Sequence, residues 1–464
     1  MMSFLFFYII IFLRFGGVNI DRYFKVLRIA LPAVGEMILF MLVWVIDTAF
    51  IGNWGGNDAV SAVGISSEML STLSGIFVTM GISVPITSMV AQKYGAGEFD
   101  ESEKYLGQGI LLGLIVAFVI FILVAFFNPF LLKLMGASGN VLENSLKYMK
   151  FAVFGVLFNM ISSLLNSGLR GIGRTDISLI SAIISNVLNI FLDWIFIFGK
   201  FGFPELGIMG SSLATFISFF TSFLFLIFYY NKYSYIKIRF KYIFTKNKNY
   251  ITHLIKLAIP SGLQEGSFSV GRLLYVSFVL KGLGSISASA NQIVTTVESI
   301  SFMPGWGFGV AATSLVGQMV GAKKFDKAKD FANISVFMSA FVMGIFGLLF
   351  FIFPEFFIGL FINDTVTIAI GKDTLKIAAF EQIFMAISMV YAGSLKGYGD
   401  TKTPFKISLF TNWVLRLPVI YIFIFVLNLD LKWLWGVMVF QWMIDALLHF
   451  ILFKKKTKSN LNII

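Results

Sequence analysis

The chain has 464 residues, 58% of them hydrophobic and only 13% charged, with a formal charge of +12 and no cysteine. Soluble domains are about 45–50% apolar and about 25% charged, so this chain would expose too much apolar surface to water, and lipid must be its solvent. Without cysteine there is no disulfide framework, thiolate nucleophile or cysteine zinc site, and the two histidines, His253 and His449, are too far apart in sequence to suggest a metal site.

The first apolar run, Phe4 to Leu13 in MMSFLFFYIIIFLRFGG, is too short to span and lacks a clear small-residue cleavage site. Residues 1–20 read as an interfacial extension or as the product of a start codon placed too far upstream. Stretches long enough to cross a bilayer (about 17–25 residues) follow near 28–52, 60–90, 106–127, 146–170, 176–199 and 207–230. A basic segment, NKYSYIKIRFKYIFTKNKNY, interrupts them. They resume near 252–280, 286–316, 332–353, 374–396, 404–427 and 433–453. The reading is an all-α membrane protein of twelve transmembrane helices. It divides into an N-lobe (21–230), a cytoplasmic linker (231–250), a C-lobe (251–453) and a basic tail (454–464).

Alternate loops carry Lys93 and Lys104, Arg170 and Arg174, the lysines at 323–329, and Lys396, Lys402 and Lys406, whereas the opposite loops hold few cations. This is the positive-inside pattern and predicts cytoplasmic termini in a cell membrane. The net charge is thus a topology signal, and a nucleic-acid partner is excluded.

The sequence also repeats. GLRGIGRT (168–175) aligns with SLKGYGDT (394–401), AQKYGAGEFD (91–100) with GQMVGAKKFD (317–326), and Asn186 with Asn412. All keep one spacing of about 226 residues, and Leu31-Pro32 matches Ile259-Pro260 with a two-residue slip. Each unit holds an even number of helices, so the two run parallel about an axis along the membrane normal, with a cavity between them. Rocking two such lobes is the physical basis of alternating access; the plain alternative is duplication that only enlarged a scaffold. The Gly-rich turns GIGRT and GYGDT allow tight connections and are no phosphate cradles, since no strand precedes them and no GxxxxGK[ST] is present.

Acids inside apolar runs carry the functional signal. A charge at the bilayer centre costs about 2.5–3.5 kcal/mol on insertion scales, so such residues are rare and usually functional. Asp47, in VWVIDTAFIG, and Asp193 lie at matching depth near the outer ends of the first and fifth helices. Asn189 and Asp193 are four apart, on one helical face, and offer oxygens to a hard cation. Two adjacent carboxylates favour a proton or cation between them; the bland reading has each acid bonded to neighbours such as Thr48 or Asn189. In the second lobe stand Glu265 and Arg272 on helix seven, Glu298 on helix eight, Glu381 on helix ten and Arg416 on helix eleven. Glu265 and Arg272, seven apart, share a face and are placed to be bridged through a neighbour. An internal salt-bridge network fits this set as well as coupling does. Glu36 and Glu68 have similar status in the N-lobe, Arg416 reads as a packing residue, and Asp445 with His449 reads as an i,i+4 pair.

Taken together, LPAVGEMILFMLVWVIDTAFIG, the Q-x-x-G-A loops, the L-[RK]-G-x-G turns and NIFLDWIFIFG resemble the multidrug and toxic compound extrusion (MATE) transporters, from about Tyr23 to Phe453. The resemblance implies an antiporter that expels organic cations or other toxic compounds against inward Na⁺ or H⁺, with no cofactor beyond that ion. It places the coupling site on Asp47, Asn189 and Asp193, with Thr215 of the sixth helix and Asn166 of the fourth, and a possible Na⁺ at the first three. Glu265, Glu298, Glu381 and Arg272 become candidates for coupling or substrate binding, and Pro32 and Gly35 for a bend in helix one. Two departures stand out: GRTD where GDTK is usual, and Trp194 where a proline often follows the fifth-helix acid. The rivals are a lipid-linked saccharide flippase and, from another class, a membrane transferase. The first usually has more helices and a more basic cavity; the second needs a His, Asp or Cys cluster that is missing. The partners expected are small organic molecules and lipid, and the protein is expected to be a monomer.

Overall fold

The computed structural model describes residues 20–461 and is helical throughout, with no strand among them. In lipid every backbone donor and acceptor must be satisfied within the protein, which leaves helices as the economical solution for a chain this apolar. Twelve long helices form two six-helix lobes. In the N-lobe these are α1 (20–55), α2 (57–95), α3 (Phe99–Leu134), α4 (Gly139–Gly171), α5 (Thr175–Phe198) and α6 (Ile208–Lys232). In the C-lobe they are α7 (248–283), α8 (285–321), α9 (Phe325–Ile352), α10 (Thr365–Gly397), α11 (Lys402–Phe425) and α12 (Leu431–Leu461). The helices run past the expected spans at most ends, because a helix continues beyond the hydrocarbon until a turn residue stops it. Residues 1–19, the expected N-terminal extension, lie outside the described residues.

Each lobe opens with a pair of helices joined at a single glycine. Gly56 (φ 63°) separates α1 from α2 and Gly284 (φ 80°) separates α7 from α8. Both occupy a left-handed region that disfavours a side chain. Pro32 lies inside α1, and the backbone keeps helical φ/ψ on both sides of it. Wider π-helical turns occur in α2 (Gly75–Thr79) and α11 (Phe410–Arg416).

The repeat is visible in matched contacts. Thr87 Oγ1 donates to Ser167 O at 3.0 Å, and Thr313 Oγ1, 226 residues on, donates to Gly393 O at 2.9 Å. Each lobe has its own apolar core, one including Ile86, Leu106 and Leu164, the other Val294, Leu375 and Trp435. A third cluster, with Val26, Ala30 and Val34 of α1 against Phe308, Ala311 and Leu315 of α8, joins them.

The lobes meet most closely at the end where the basic loops gather, through a two-fold clasp. Gln92 Nε2 donates to Gly397 O at 2.8 Å, and its counterpart Gln318 donates to Gly171 O at 2.9 Å. Ser88 Oγ donates to Lys396 O at 2.5 Å, and Ser314 Oγ to Gly171 O at 3.4 Å. A Cβ on Gly95 would lie 1.9 Å from Gln318 O, and one on Gly321 would lie 1.7 Å from Gln92 O. The Q-x-x-G-A repeats are thus lobe–lobe contacts in which glycine lets two backbones touch.

The segment between the lobes is strapped to the start of α3. Buried Glu103 accepts from Lys237 N at 2.8 Å and pairs with Arg239 at 2.5 Å. Gln108 Nε2 donates to Thr245 O at 2.8 Å and Asn247 N donates to Gln108 Oε1 at 3.0 Å. Tyr242, on the short helix Phe240–Phe244, donates to Asp100, and that bond raises its phenol above its ordinary pKa.

Candidate functional site

In the N-lobe, α1 and α5 bring Asp47 and Asp193 within hydrogen-bonding reach of each other. Asp193 is fully buried and Asp47 half-buried. Asn189, one turn before Asp193 on the same buried face, and Ser211 of α6 also reach the Asp193 carboxyl. Tyr148 of α4 closes the group. Its buried hydroxyl faces both acids, reaches Thr215 and lies 3.3 Å from Ser67 Oγ. Thr48 instead donates to Trp44 O at 2.8 Å, so it does not satisfy Asp47.

These groups converge without satisfying one another. Neither Asp193 oxygen, neither Asn189 amide atom, nor Asp47 Oδ1 completes a hydrogen bond of good geometry. Buried polar atoms are nearly always partnered, and two carboxylates without a counterion repel. A proton shared by the acids, or a small hard cation held by these oxygens, resolves both problems. Asn166 lies elsewhere: it lines a polar cavity further along α4 with Asn186, Ser178 and Glu36.

The C-lobe candidates separate into different environments. Glu298 of α8 and Glu381 of α10 reach each other. The Arg416 guanidinium lies beside them and sits 5.1 Å from the centroid of the Tyr275 ring. Tyr275 Oη donates to Asn291 Oδ1 at 2.6 Å, an oxygen that also accepts from Trp435 Nε1 at 3.1 Å. Arg272, which shares a face of helix seven with Glu265, pairs with Glu68 of the N-lobe. Arg272 is exposed toward the gap between the lobes, where Glu68 is the acid within reach. Glu265 is half-buried, and Lys396 and Arg272 are the cations acting on it. Asp445 and His449 do pair, at 2.9 Å, and Thr411 donates to Asp445 at 2.7 Å.

The MatE family model matches this chain twice, over residues 32–195 and 260–422, one copy per lobe. The chain belongs to the MatE family. A probable multidrug resistance protein NorM of Thermotoga maritima is 29% identical over 411 residues, covering 89% of this chain and 88% of that one. The multidrug resistance protein NorM of Vibrio cholerae is 29% identical over 371 residues, covering 79% and 80%. Among solved structures, a MATE protein in its bent conformation superposes with a TM-score of 0.88, at 20% identity over 95% of this chain and 97% of that one. A MATE family transporter of outward-facing conformation gives 0.87, at 19% identity over 95% and 96%. This MatE protein is therefore a twelve-helix, two-lobe membrane transporter rather than an enzyme.

Tyr148 and Arg416 were the site residues least legible in the sequence. Tyr148 follows Lys147 near a helix end and looks like an interfacial aromatic, and Arg416 reads as packing. Only the fold places them beside paired acids.

Proposed function

We propose that this MatE protein is a multidrug efflux antiporter of the cell membrane, with its basic end and both termini in the cytoplasm. It exports lipophilic or cationic organic compounds in exchange for H⁺ or Na⁺. The convergence of Asp47 and Asp193 on α1 and α5, with unpartnered oxygens, carries the reading; the names borne by the NorM relatives supply the substrate class. Ion binding at Asp47, Asn189 and Asp193 removes the repulsion between the acids and favours one arrangement of α1 against α5. Substrate binding in the space between the lobes favours another. Exchange follows because each ligand shifts the equilibrium only by its differential affinity for the two states. Glu298, Glu381 and Arg416 provide a second charged group, in the C-lobe, where a cationic substrate would meet a carboxylate. Pro32 and Gly35 are the positions where α1 would bend.

The test is transport by purified protein in liposomes under imposed H⁺ or Na⁺ gradients, comparing wild type with Asp47→Asn. Gradient-driven uptake of a fluorescent organic cation should be lost in the variant at normal folded yield. Undiminished, gradient-dependent transport by Asp47→Asn would remove the acid pair from coupling.

A further inference from the structure

A line of buried polar side chains continues from the acid pair through the N-lobe interior toward the basic end. On α5 it runs Asp193, Asn189, Asn186, Ser185, Ser181 and Ser178, in steps of one, three and four residues that keep one face, each at most 5% exposed. At about 1.5 Å per residue it covers roughly 22 Å, most of the bilayer's hydrocarbon thickness of about 30 Å. On α6 Ser211, Thr215, Ser218 and Ser222 face it, with Ser181 Oγ and Ser222 Oγ 2.6 Å apart. The line ends at Glu36 of α1, 2% exposed, which accepts from Arg170 of α4 at 2.5 Å.

A cavity of about 20 Å³ lies along its inner half, and Glu36 is the charged residue that lines it. That is room for one water, with polar partners to hold it. Glu36 Oε2, Asn166 Oδ1, Ser178 Oγ and Asn186 Nδ2 are buried there without hydrogen-bond partners. Serine at helix contacts is often ordinary packing, and Ser218, which bonds its own helix at Ala214 O, is of that kind. The asparagines and Glu36 are not. The second lobe repeats only part of the line: 226 residues on, Ser185 and Asn186 keep the polar counterparts Thr411 and Asn412, whereas Ser178, Ser181, Asn189 and Asp193 correspond to Pro404, Ile407, Leu415 and Val419.

We propose that this column is a water-bridged proton path inside the N-lobe, linking the Asp47–Asp193 pair to the cytoplasm beside Glu36. It rests on the coupling role proposed above for that pair. The pair gives one proton to an adjacent hydroxyl or water, and each carrier accepts one hydrogen as it passes another on. The proton leaves for the cytoplasm beside Glu36, whose ion pair with Arg170 marks the inner end of the path. The coupling ion then has its own route, separate from the substrate's between the lobes. A cavity of this size has no room for a hydrated Na⁺, so the path proposed here is one for the proton.

Ala182→Leu plugs the cavity. Substrate-evoked proton flux, read with a pH dye inside liposomes, should fall at least about tenfold, the scale of a lost positioned proton carrier. Substrate affinity of the purified variant should stay within about twofold of wild type, since no substrate-facing group changes. Should Ala182→Leu fold poorly, Asn186→Leu, close in volume but unable to hold water, carries the same expectation. Wild-type flux in either folded variant overturns the column, as does a wild-type protein that exchanges Na⁺ and moves no proton. Proton coupling that survives in Asp47→Asn instead overturns the role of the acid pair, so the two failures are distinct.

Discussion

Replacing Gly321 by alanine should open the lobes at their basic end. The new Cβ would sit 1.7 Å from Gln92 O and 2.9 Å from Gln92 Cα, and both are backbone atoms that no rotamer change can clear. Real Cβ contacts stay beyond 3.0 Å, so the two helix ends must separate by about 1.3 Å. Overpacking of this kind costs about 1–3 kcal/mol. Stretching the adjacent bond from Gln92 to Gly397 O adds about 0.5–1.5 kcal/mol. A penalty of about 2–4 kcal/mol on this conformation alone shifts the equilibrium between states by tens- to hundreds-fold. The chain has no cysteine, so spin labels on Glu98→Cys and Lys324→Cys report one distance across the clasp, by pulsed electron paramagnetic resonance. Gly321→Ala should broaden or lengthen that distribution, and the mirror change Gly95→Ala should do the same. Gly436→Ala, where an added Cβ meets nothing within 4 Å, should leave it unchanged. An unaltered distribution in both clasp variants, with folding intact, would show that the contact does not hold the lobes together.

Three further outcomes are expected. The double variant Gln92→Ala/Gln318→Ala removes both glutamine donors of the clasp and should favour the opened state in the same spin-label assay, by about 1–3 kcal/mol in total; no shift would leave the clasp to the glycines with Ser88 and Ser314. Glu381 is fully buried and neither of its carboxyl oxygens has a hydrogen-bond partner, so Glu381→Gln, which removes the charge at nearly constant volume, should keep or raise the Tm in detergent; a clearly lower Tm would mean that the carboxylate is held as an ion pair. Glu103→Ala frees the strap at Lys237 and Arg239, so trypsin should cut the linker markedly faster than in wild type, and an unchanged cleavage rate would mean that Gln108 and Tyr242 suffice to hold it.

Much of the architecture was legible because lipid simplifies the problem. Apolar runs of bilayer length, cationic loops on alternate sides and a repeat at constant spacing each follow from a physical requirement of the membrane or of duplication. Asp47, Asn189 and Asp193 were legible for the same reason, since a carboxylate inside an apolar helix is expensive wherever the helix packs. Their neighbours were not, because lateral packing, which the sequence does not encode locally, decides them. Arg272 shares a helical face with Glu265 yet pairs with Glu68 of the other lobe, and Tyr148 reaches the acids only because α4 lies against α1 and α6. The Q-x-x-G-A repeats could be aligned by eye, but their role could not be read until Gly95 and Gly321 were seen pressed against the opposite lobe's glutamine backbone.

By itself, then, the sequence determined that this protein lives in lipid, that it is two parallel copies of a six-helix unit, and that one copy carries acids the other lacks. Hydropathy, charge asymmetry and repeat spacing are properties of the chain in order, so no fold was needed to see them. Tertiary structure alone decided which acids share a site, which cations they face and where the lobes touch. Those are distances between helices far apart in sequence, set by close packing of side chains rather than by any local signal.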